Sequence, residues 1–184
     1  MQVNKITFFA PGIELISLDF GNKNQIIESF EKRIFCYYLE PAKILNEKEM
    51  GFAAGVILMT TIDAITYYSM NKNNIIEFFK LMNSEFSEDD FNKIANKFYE
   101  YFRNGLIHEG RIKGCGQFTY ESNQLLFFEN NILVINPSVL LDKVVEYFNN
   151  YIEKLKKDND HYSIFIKKLE KLFSPEIHKL KQLS

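Results

Sequence analysis

The sequence predicts a mainly α-helical bundle, with a small antiparallel β-meander late in the chain and a candidate β-hairpin at the N-terminus. Apolar residues recur at three- and four-residue steps along most of the 184 residues, which is the spacing of amphipathic helices. Residues 6–20 and 117–135 instead carry strand-forming runs bounded by turn residues. Because 46% of the residues are hydrophobic, the chain can bury a sizeable core, and we expect one domain over residues 1–184.

Composition and charge limit the classes of function. The net charge of -2 argues against bulk electrostatic binding of duplex nucleic acid, which needs a strongly basic surface, so any nucleic-acid contact should be local. Cys36 and Cys115 have neither metal-ligand nor redox spacing, and we expect reduced thiols in a cytoplasmic protein. Residues 1–20 lack the pattern of a signal peptide.

The first elements follow from turn residues and apolar spacing. Residues 1–22 form a candidate β-hairpin, because Pro11-Gly12 suits the centre of a type II turn between two apolar runs. A first helix is expected over residues 24–40, where apolar side chains recur at helical spacing. It should end or kink at Pro41, since proline lacks the N–H that an interior helix position needs.

A nearly uncharged second helix is expected over residues 51–70, close to the ~20 residues that a membrane span needs. Asp63 lies inside it, and a central aspartate costs about 2.5–3.5 kcal/mol on membrane insertion scales. We therefore expect the buried central helix of a soluble bundle, and no membrane span. A buried carboxylate needs a partner, for which Arg103 and Asn104 are the nearest chemical match. The alternative is an aspartate that faces solvent.

Two more helices complete the helical region 24–113. Asn73 or Asn74 can cap a short helix through Leu81, and Ser87 can cap the helix that follows. That last helix carries an apolar stripe at helical spacing, formed by Phe91, Ile94, Phe98 and Phe102.

The pattern then changes to strands and returns to helix. Three β-rich runs separated by short turns predict the antiparallel meander of 117–135: residues 117–121, 124–129 and 131–135. Asn136-Pro137 opens the C-terminal helices of 137–184, because proline suits a first helical turn. An apolar seam follows along Leu141, Val144, Phe148, Ile152 and Leu155. The lysine-rich tail should be helical and broken at Ser174-Pro175.

One segment carries residue types suited to chemistry: Arg103-Asn104-Gly105-Leu106-Ile107-His108. Gly110 is placed for a left-handed C-terminal cap, so His108 should lie in the last helical turn. Asn104 and His108 should share one helix face, with Arg103 ~100° away on its flank. Gly105 costs about 1 kcal/mol in a helix relative to alanine, which predicts close approach of another backbone. The alternative to a functional site is that arginine and histidine occur here only because cations are favoured at the negative end of the helix dipole.

The Arg-Asn-x-x-x-His pattern resembles the signature of the HEPN superfamily, whose members are helical bundles and often metal-independent ribonucleases that act as dimers. The resemblance implies that Arg103, Asn104 and His108 are catalytic and that a two-fold dimer supplies two copies of His108. It also implies a role as a toxin, in antiviral defence or in RNA processing, with an antitoxin or other neutralising protein as a candidate partner. Other members have lost catalysis and act as binding domains.

The residue types fit RNA cleavage. Attack of a 2′-hydroxyl on the adjacent phosphate needs a base and an acid, and histidine titrates in the range for both. Arg103 would stabilise the charge on the phosphorane, and Asn104 would orient the phosphate or the imidazole. Asp63 and Glu109 are candidates for orienting these groups.

The partners follow from the same segment. Arg111 and Lys113 add positive charge beside the motif and are candidates for binding RNA. No metal or cofactor is expected, because the three histidines lie far apart and no glycine run matches a phosphate-binding loop. We expect a homodimer that buries Gly105 and gathers two copies of His108. The alternative is a non-catalytic, dimeric helical module that binds RNA, a nucleotide or a partner protein.

Overall fold

The computed structural model describes residues 2–3, 6–69, 78 and 88–183. These residues are mainly helical and include two small sheets, which confirms the predicted mainly-α class. The chain divides into two compact units. The first comprises Met1–Tyr37 with Phe148–Ser184, and the second comprises Tyr38–Tyr147.

The first unit begins with the predicted hairpin. β2 (Ile6–Ala10) pairs antiparallel with β3 (Ile13–Glu14). The turn between them is Pro11-Gly12, and Gly12 has φ 71°, as a type II turn requires at its third position. The second strand is shorter than expected, because a 3₁₀ turn follows it directly at Leu15–Ser17. β1 (Gln2–Val3), which the sequence did not predict, pairs with β2 on the other side.

The first long helix does not end at Pro41. α1 (Lys23–Ile34) continues through a π-helical turn (Phe35–Leu39) into α2 (Glu40–Glu47). Pro41 lies in the first turn of α2. A first turn has no need of the missing N–H, so the proline is accommodated there without ending the helical chain.

Of the two C-terminal helices, the first agrees with the prediction and the last is longer than predicted. α5 (Pro137–Lys157) carries the predicted apolar seam, all of whose members are buried. α6 (Asn159–Leu183) runs past Pro175 without the predicted break. Pro175 and Lys171, whose carbonyl loses its partner, are both exposed, so water can satisfy that carbonyl. The core of the first unit lies between α1 and these helices, where Phe30 packs against the rings of Phe148 and Phe165.

The second unit is built around α3 (Gly51–Ser69), which agrees with the predicted second helix. Among the described residues α3 is the one helix long and apolar enough to cross a membrane, yet 56% of its most apolar window is buried inside the protein. It is therefore a core helix, as the sequence predicted. The opposing helix is α4 (Glu88–Lys97), which continues directly as a π-helix, the motif helix (Phe98–Glu109), packed against α3.

The predicted stripe on that helix is buried at Ile94, Phe98 and Phe102. Several expectations lie outside the described residues. They are the caps at Asn73 or Asn74 and at Ser87, the helix end at Leu81 and the side chain of Phe91.

The predicted meander is wrong in its topology. β5 (Leu126–Glu129) and β6 (Ile132–Ile135) form an antiparallel hairpin, but β4 (Gln117–Phe118) pairs parallel with β6 on its other edge. The hairpin turn is Asn130-Asn131, whose φ angles of 49° and 66° suit a type I′ turn.

Asn136 holds the end of the β5–β6 hairpin. Its Nδ2 donates to the Ser122 carbonyl and its backbone N–H to the Leu125 carbonyl at 3.0 Å. Its Oδ1 also accepts from the N–H of Ser138 at 2.8 Å, which caps α5 and confirms the predicted helix start.

Candidate functional site

The motif lies in a π-helix, whereas an α-helix was expected. A π-helix has i→i+5 hydrogen bonds, which place residues five apart next to one another. Accordingly, Nη1 of Arg103 lies 2.7 Å from Nε2 of His108. In an α-helix these two residues would point ~140° apart. Arg103 was expected on the flank of the face that Asn104 and His108 share, but the wider winding brings it to the histidine itself, where it also contacts Asn104.

The Arg103 guanidinium is held in place on several sides. Its Nε donates to Oδ2 of Asp63 at 3.0 Å, and its Nη2 lies 2.9 Å from the same oxygen. Its Nη1 also donates to Oδ1 of Asn104 at 3.0 Å. The predicted contact between Asp63 and the motif helix is thus confirmed. The two side chains of this ion pair are 22% and 30% exposed, so the carboxylate does not simply face solvent.

One further contact of Arg103 was not predicted from the sequence. The ring of Tyr99 lies one helical turn earlier, with its centroid 5.5 Å from the guanidinium carbon, within the range of a cation–π interaction. The Tyr99 side chain is 36% exposed. The spacing of four residues between Tyr99 and Arg103 was the available signal in the sequence.

His108 is held as a hydrogen-bond acceptor. Arginine has only donors, so Nε2 of His108 must accept from Arg103, and the imidazole is neutral with its proton on Nδ1. The side chain is exposed, as a group that meets a substrate must be. Nε2 becomes available to take up a proton only when Arg103 finds another acceptor.

Gly105 is in contact with its own chain. Its carbonyl accepts from the N–H of Arg111 at 3.1 Å, and a Cβ at this position would collide with the Arg111 carbonyl oxygen. The predicted close approach of a backbone is confirmed, and that backbone is the loop that follows the helix. Gly105 is therefore already buried within one chain. Gly110, at φ 65°, ends the motif helix in the predicted left-handed cap and opens this loop.

The loop carries both basic residues proposed to bind RNA, and Glu109 pairs with each of them. Oε2 of Glu109 lies 2.9 Å from Nη2 of Arg111, and its Oε1 pairs with Nζ of Lys113. The hydrogen bond from Lys113, together with the positive charges of Lys113 and Arg111, lowers the pKa of the Glu109 carboxyl. Glu109 thus orients the loop cations, whereas Asp63 orients the motif.

The arrangement supplies groups that recognise and act on a phosphate. It offers a fixed guanidinium, a neutral imidazole with its lone pair directed at that guanidinium, and two surface cations nearby. Within the described part of the chain, no group of three or more His, Cys, Asp or Glu side chains could hold a metal ion. Comparison with protein-family models, with curated proteins and with solved structures finds no match to this chain.

Proposed function

We propose that this protein is a metal-independent endoribonuclease of the HEPN type, which cleaves RNA by attack of a 2′-hydroxyl on the adjacent phosphate. The observation that supports this most is the 2.7 Å contact between Arg103 and His108, with the arginine anchored on Asp63. These are the groups that a phosphoryl transfer without metal needs at one point: a charge stabiliser and a proton acceptor.

In the proposed mechanism the scissile phosphate enters as a new acceptor for Nη1 of Arg103. This frees Nε2 of His108 to take the proton of the 2′-hydroxyl while the 2′-oxygen forms its bond to phosphorus. The negative charge that grows on the phosphorane is stabilised by the Arg103 guanidinium, which Asp63 keeps in position. The bond from phosphorus to the 5′-oxygen then breaks, and an acid protonates that oxygen. The products are a 2′,3′-cyclic phosphate and a 5′-hydroxyl.

A second copy of the chain supplies that acid in this proposal, because one chain carries one motif histidine. The outer face of α3 supports a homodimer. We define this face by residues that carry no charge and are exposed or half-buried: Ala53, Val56, Thr60, Ala64 and Tyr67. The face borders Asp63, three residues after Thr60 on the helix, so a copy docked there would lie next to the motif.

For the biological role we rely on the resemblance of the motif to HEPN proteins. We propose a cytoplasmic protein that acts on cellular or invading RNA as a toxin or an antiviral-defence effector. A neutralising partner such as an antitoxin would then control it. The exposed motif and loop cations are the surface that such a partner would cover.

A second candidate is a non-catalytic dimeric module that binds RNA, a nucleotide or a partner protein. One observation favours it. The lone pair of His108 is already engaged by Arg103, and Glu109 neutralises the two loop cations, so the resting site offers little free charge to a substrate.

The two candidates are separated by incubating purified protein with RNA in EDTA. The ribonuclease proposal expects cleavage with 2′,3′-cyclic phosphate ends. His108→Ala and Arg103→Ala should each reduce the rate by about 10²-fold or more. The double variant should lose little beyond the singles, because the two groups act as a unit. His178→Ala, which removes an exposed histidine of the other unit, is the matched control and should cleave normally. Wild-type protein that binds RNA without cleaving it would instead establish the binding module.

A further inference from the structure

A groove of about 350 Å³ opens in the second unit beside the N-terminal end of α3. Its walls include three aromatic rings, one carboxylate and one loop aliphatic residue: Phe52, Phe118, Tyr120, Glu49 and Ile112. The volume lies at the lower end of the range for small-molecule sites, so it suits one small group. None of these side chains takes part in the ribonuclease proposal.

The aromatic walls meet at a corner. The rings of Phe52 and Phe118 are perpendicular, at 89°, with centroids 6.1 Å apart. Phe52 is 57% exposed although it is a large apolar residue. Phe118 packs against Gly55, where any Cβ would collide with its ring. Tyr120 is also fixed, because its hydroxyl donates to Oδ1 of Asn46 at 3.0 Å. The corner is therefore built into the fold before any ligand arrives.

Glu49 brings negative charge to this corner. It lies in the turn after α2, two residues past the helix end, with φ 54°, a left-handed conformation that glycine would adopt at lower cost. Within the described part of the chain, its carboxylate forms no ion pair or hydrogen bond. Glu49 and Tyr120 both line the groove, and burial, followed by the charge of Glu49, raises the pKa of Tyr120.

We infer that this groove is a binding site for an organic cation, an alkylammonium or guanidinium group. Aromatic faces attract cations through their quadrupole, and three aromatic rings, those of Phe52, Phe118 and Tyr120, line this groove. The unpaired carboxylate of Glu49 adds charge complementarity. A nucleobase fits less well, because it needs a parallel stacking face and would bring phosphate towards a carboxylate.

The test uses the full-length protein and choline as the probe. Binding is followed by calorimetry and by the ring-proton NMR signals of Phe52, Phe118 and Tyr120. We expect choline to bind and to shift these signals. Its uncharged analogue, in which a tert-butyl group replaces the trimethylammonium group, should bind at least about fivefold more weakly. Equal binding of the two compounds would mean a merely apolar groove and would overturn the inference. So would a nucleoside monophosphate that binds the groove more tightly than choline.

Two variants locate the site. Glu49→Gln should weaken choline binding about fivefold through loss of the charge, and Phe52→Ala should weaken it about two- to fivefold through loss of one wall. Glu47→Gln and Phe35→Ala are matched controls. Glu47 is an exposed carboxylate of α2, and Phe35 is a phenylalanine of the first unit that is 52% exposed. Both controls should bind choline like the wild type. Unchanged binding in Glu49→Gln and Phe52→Ala would place the cation somewhere else and overturn the assignment.

Two further arms identify where the cation comes from. Competition by a polyamine would indicate a free metabolite, and competition by a short lysine- or arginine-containing peptide would indicate a basic segment of a partner protein. If neither the polyamine nor the basic peptide competed with choline, the assignment of the groove to alkylammonium and guanidinium groups would be contradicted. RNA cleavage should be unchanged in Glu49→Gln, so a failure of this inference is distinguishable from a failure of the proposed ribonuclease activity.

Discussion

Arg103 and His108 are joined directly, with Nη1 of the arginine 2.7 Å from Nε2 of the histidine. Because the arginine can only donate, this contact fixes the tautomer of the imidazole and covers its lone pair. A phosphate that draws the guanidinium towards itself would uncover the base at the same moment. In the proposed ribonuclease mechanism, one nitrogen atom of Arg103 would thereby link binding of the substrate to activation of the base.

Asp63→Asn should weaken this arrangement, because the neutral amide no longer balances the charge of Arg103. For a pair that is neither fully buried nor fully exposed, we expect about 1–3 kcal/mol of lost unfolding free energy, measured by urea denaturation. RNA cleavage should also fall. Asp142→Asn, at an exposed carboxylate of α5, is the control and should change neither quantity. A variant as stable and as active as the wild type would show that Asp63 does not position the arginine.

Glu109→Gln should release Arg111 and Lys113 for RNA. Removing the carboxylate leaves two cations without their shared partner, so RNA should bind more tightly. The slope of log affinity against log salt should steepen by about one to two units. Filter binding across a range of salt concentrations measures both effects. An unchanged slope would mean that the loop cations do not meet the phosphate backbone.

The Glu109 interactions should also depend on pH. The pKa of this carboxyl is lowered from its ordinary value of 4.5, chiefly by the hydrogen bond from Lys113. The stabilisation is therefore complete above that ordinary value and is lost as the pH falls through the lowered one. NMR titration of the Glu109 side chain should give a midpoint below 4.5. Lys113→Met should move the midpoint upward, and an unmoved midpoint would argue against this pairing in solution.

Gly105→Ala should destabilise the second unit. The new methyl group would meet the Arg111 carbonyl oxygen, and crowding of this kind typically costs about 1–3 kcal/mol. That cost exceeds the gain of about 1 kcal/mol that alanine brings to an open helix position. Glu100→Ala, at an exposed site of the same helix, should be close to neutral. Thermal unfolding of both variants checks the difference, and a stabilised Gly105→Ala would contradict the close approach.

Val56→Glu should dissociate the proposed homodimer, because it places a charge in the uncharged outer face of α3. Val56 is 38% exposed, so the substitution is accommodated in the monomer. We expect a folded monomer in sedimentation experiments, and little cleavage of RNA. Ile164→Glu makes the same change at a residue of the other unit that is 41% exposed, and should leave the dimer intact. A monomeric wild-type protein that still cleaves RNA would contradict the use of two histidines.

Local sequence patterns were sufficient to predict several helix ends and one ion pair of this structure. Asn136 before Pro137 and Gly110 after the motif could be interpreted from capping chemistry alone, and both mark helix ends as expected. Asp63 could be paired with Arg103 because a carboxylate within an apolar helix needs a cation.

The features that the sequence did not predict depend on longer-range geometry. Ile94, Phe98 and Phe102 are spaced four residues apart, and residues at this spacing can be buried on one face of either an α-helix or a π-helix. The apolar pattern therefore does not reveal the change from α to π winding. The parallel pairing of β4 with β6 joins strands that are separated by β5 in the sequence, and no local pattern encodes such a pairing.

The contact between Arg103 and His108 depends on the π-helical winding of the motif helix. Four intervening residues in this winding produce the same neighbours that three would produce in an α-helix. The geometry of the site therefore depends on the hydrogen-bond register of the backbone as well as on the identity of its side chains. With α winding in this segment, Arg103 and His108 would point ~140° apart around the helix and the contact between them would be lost.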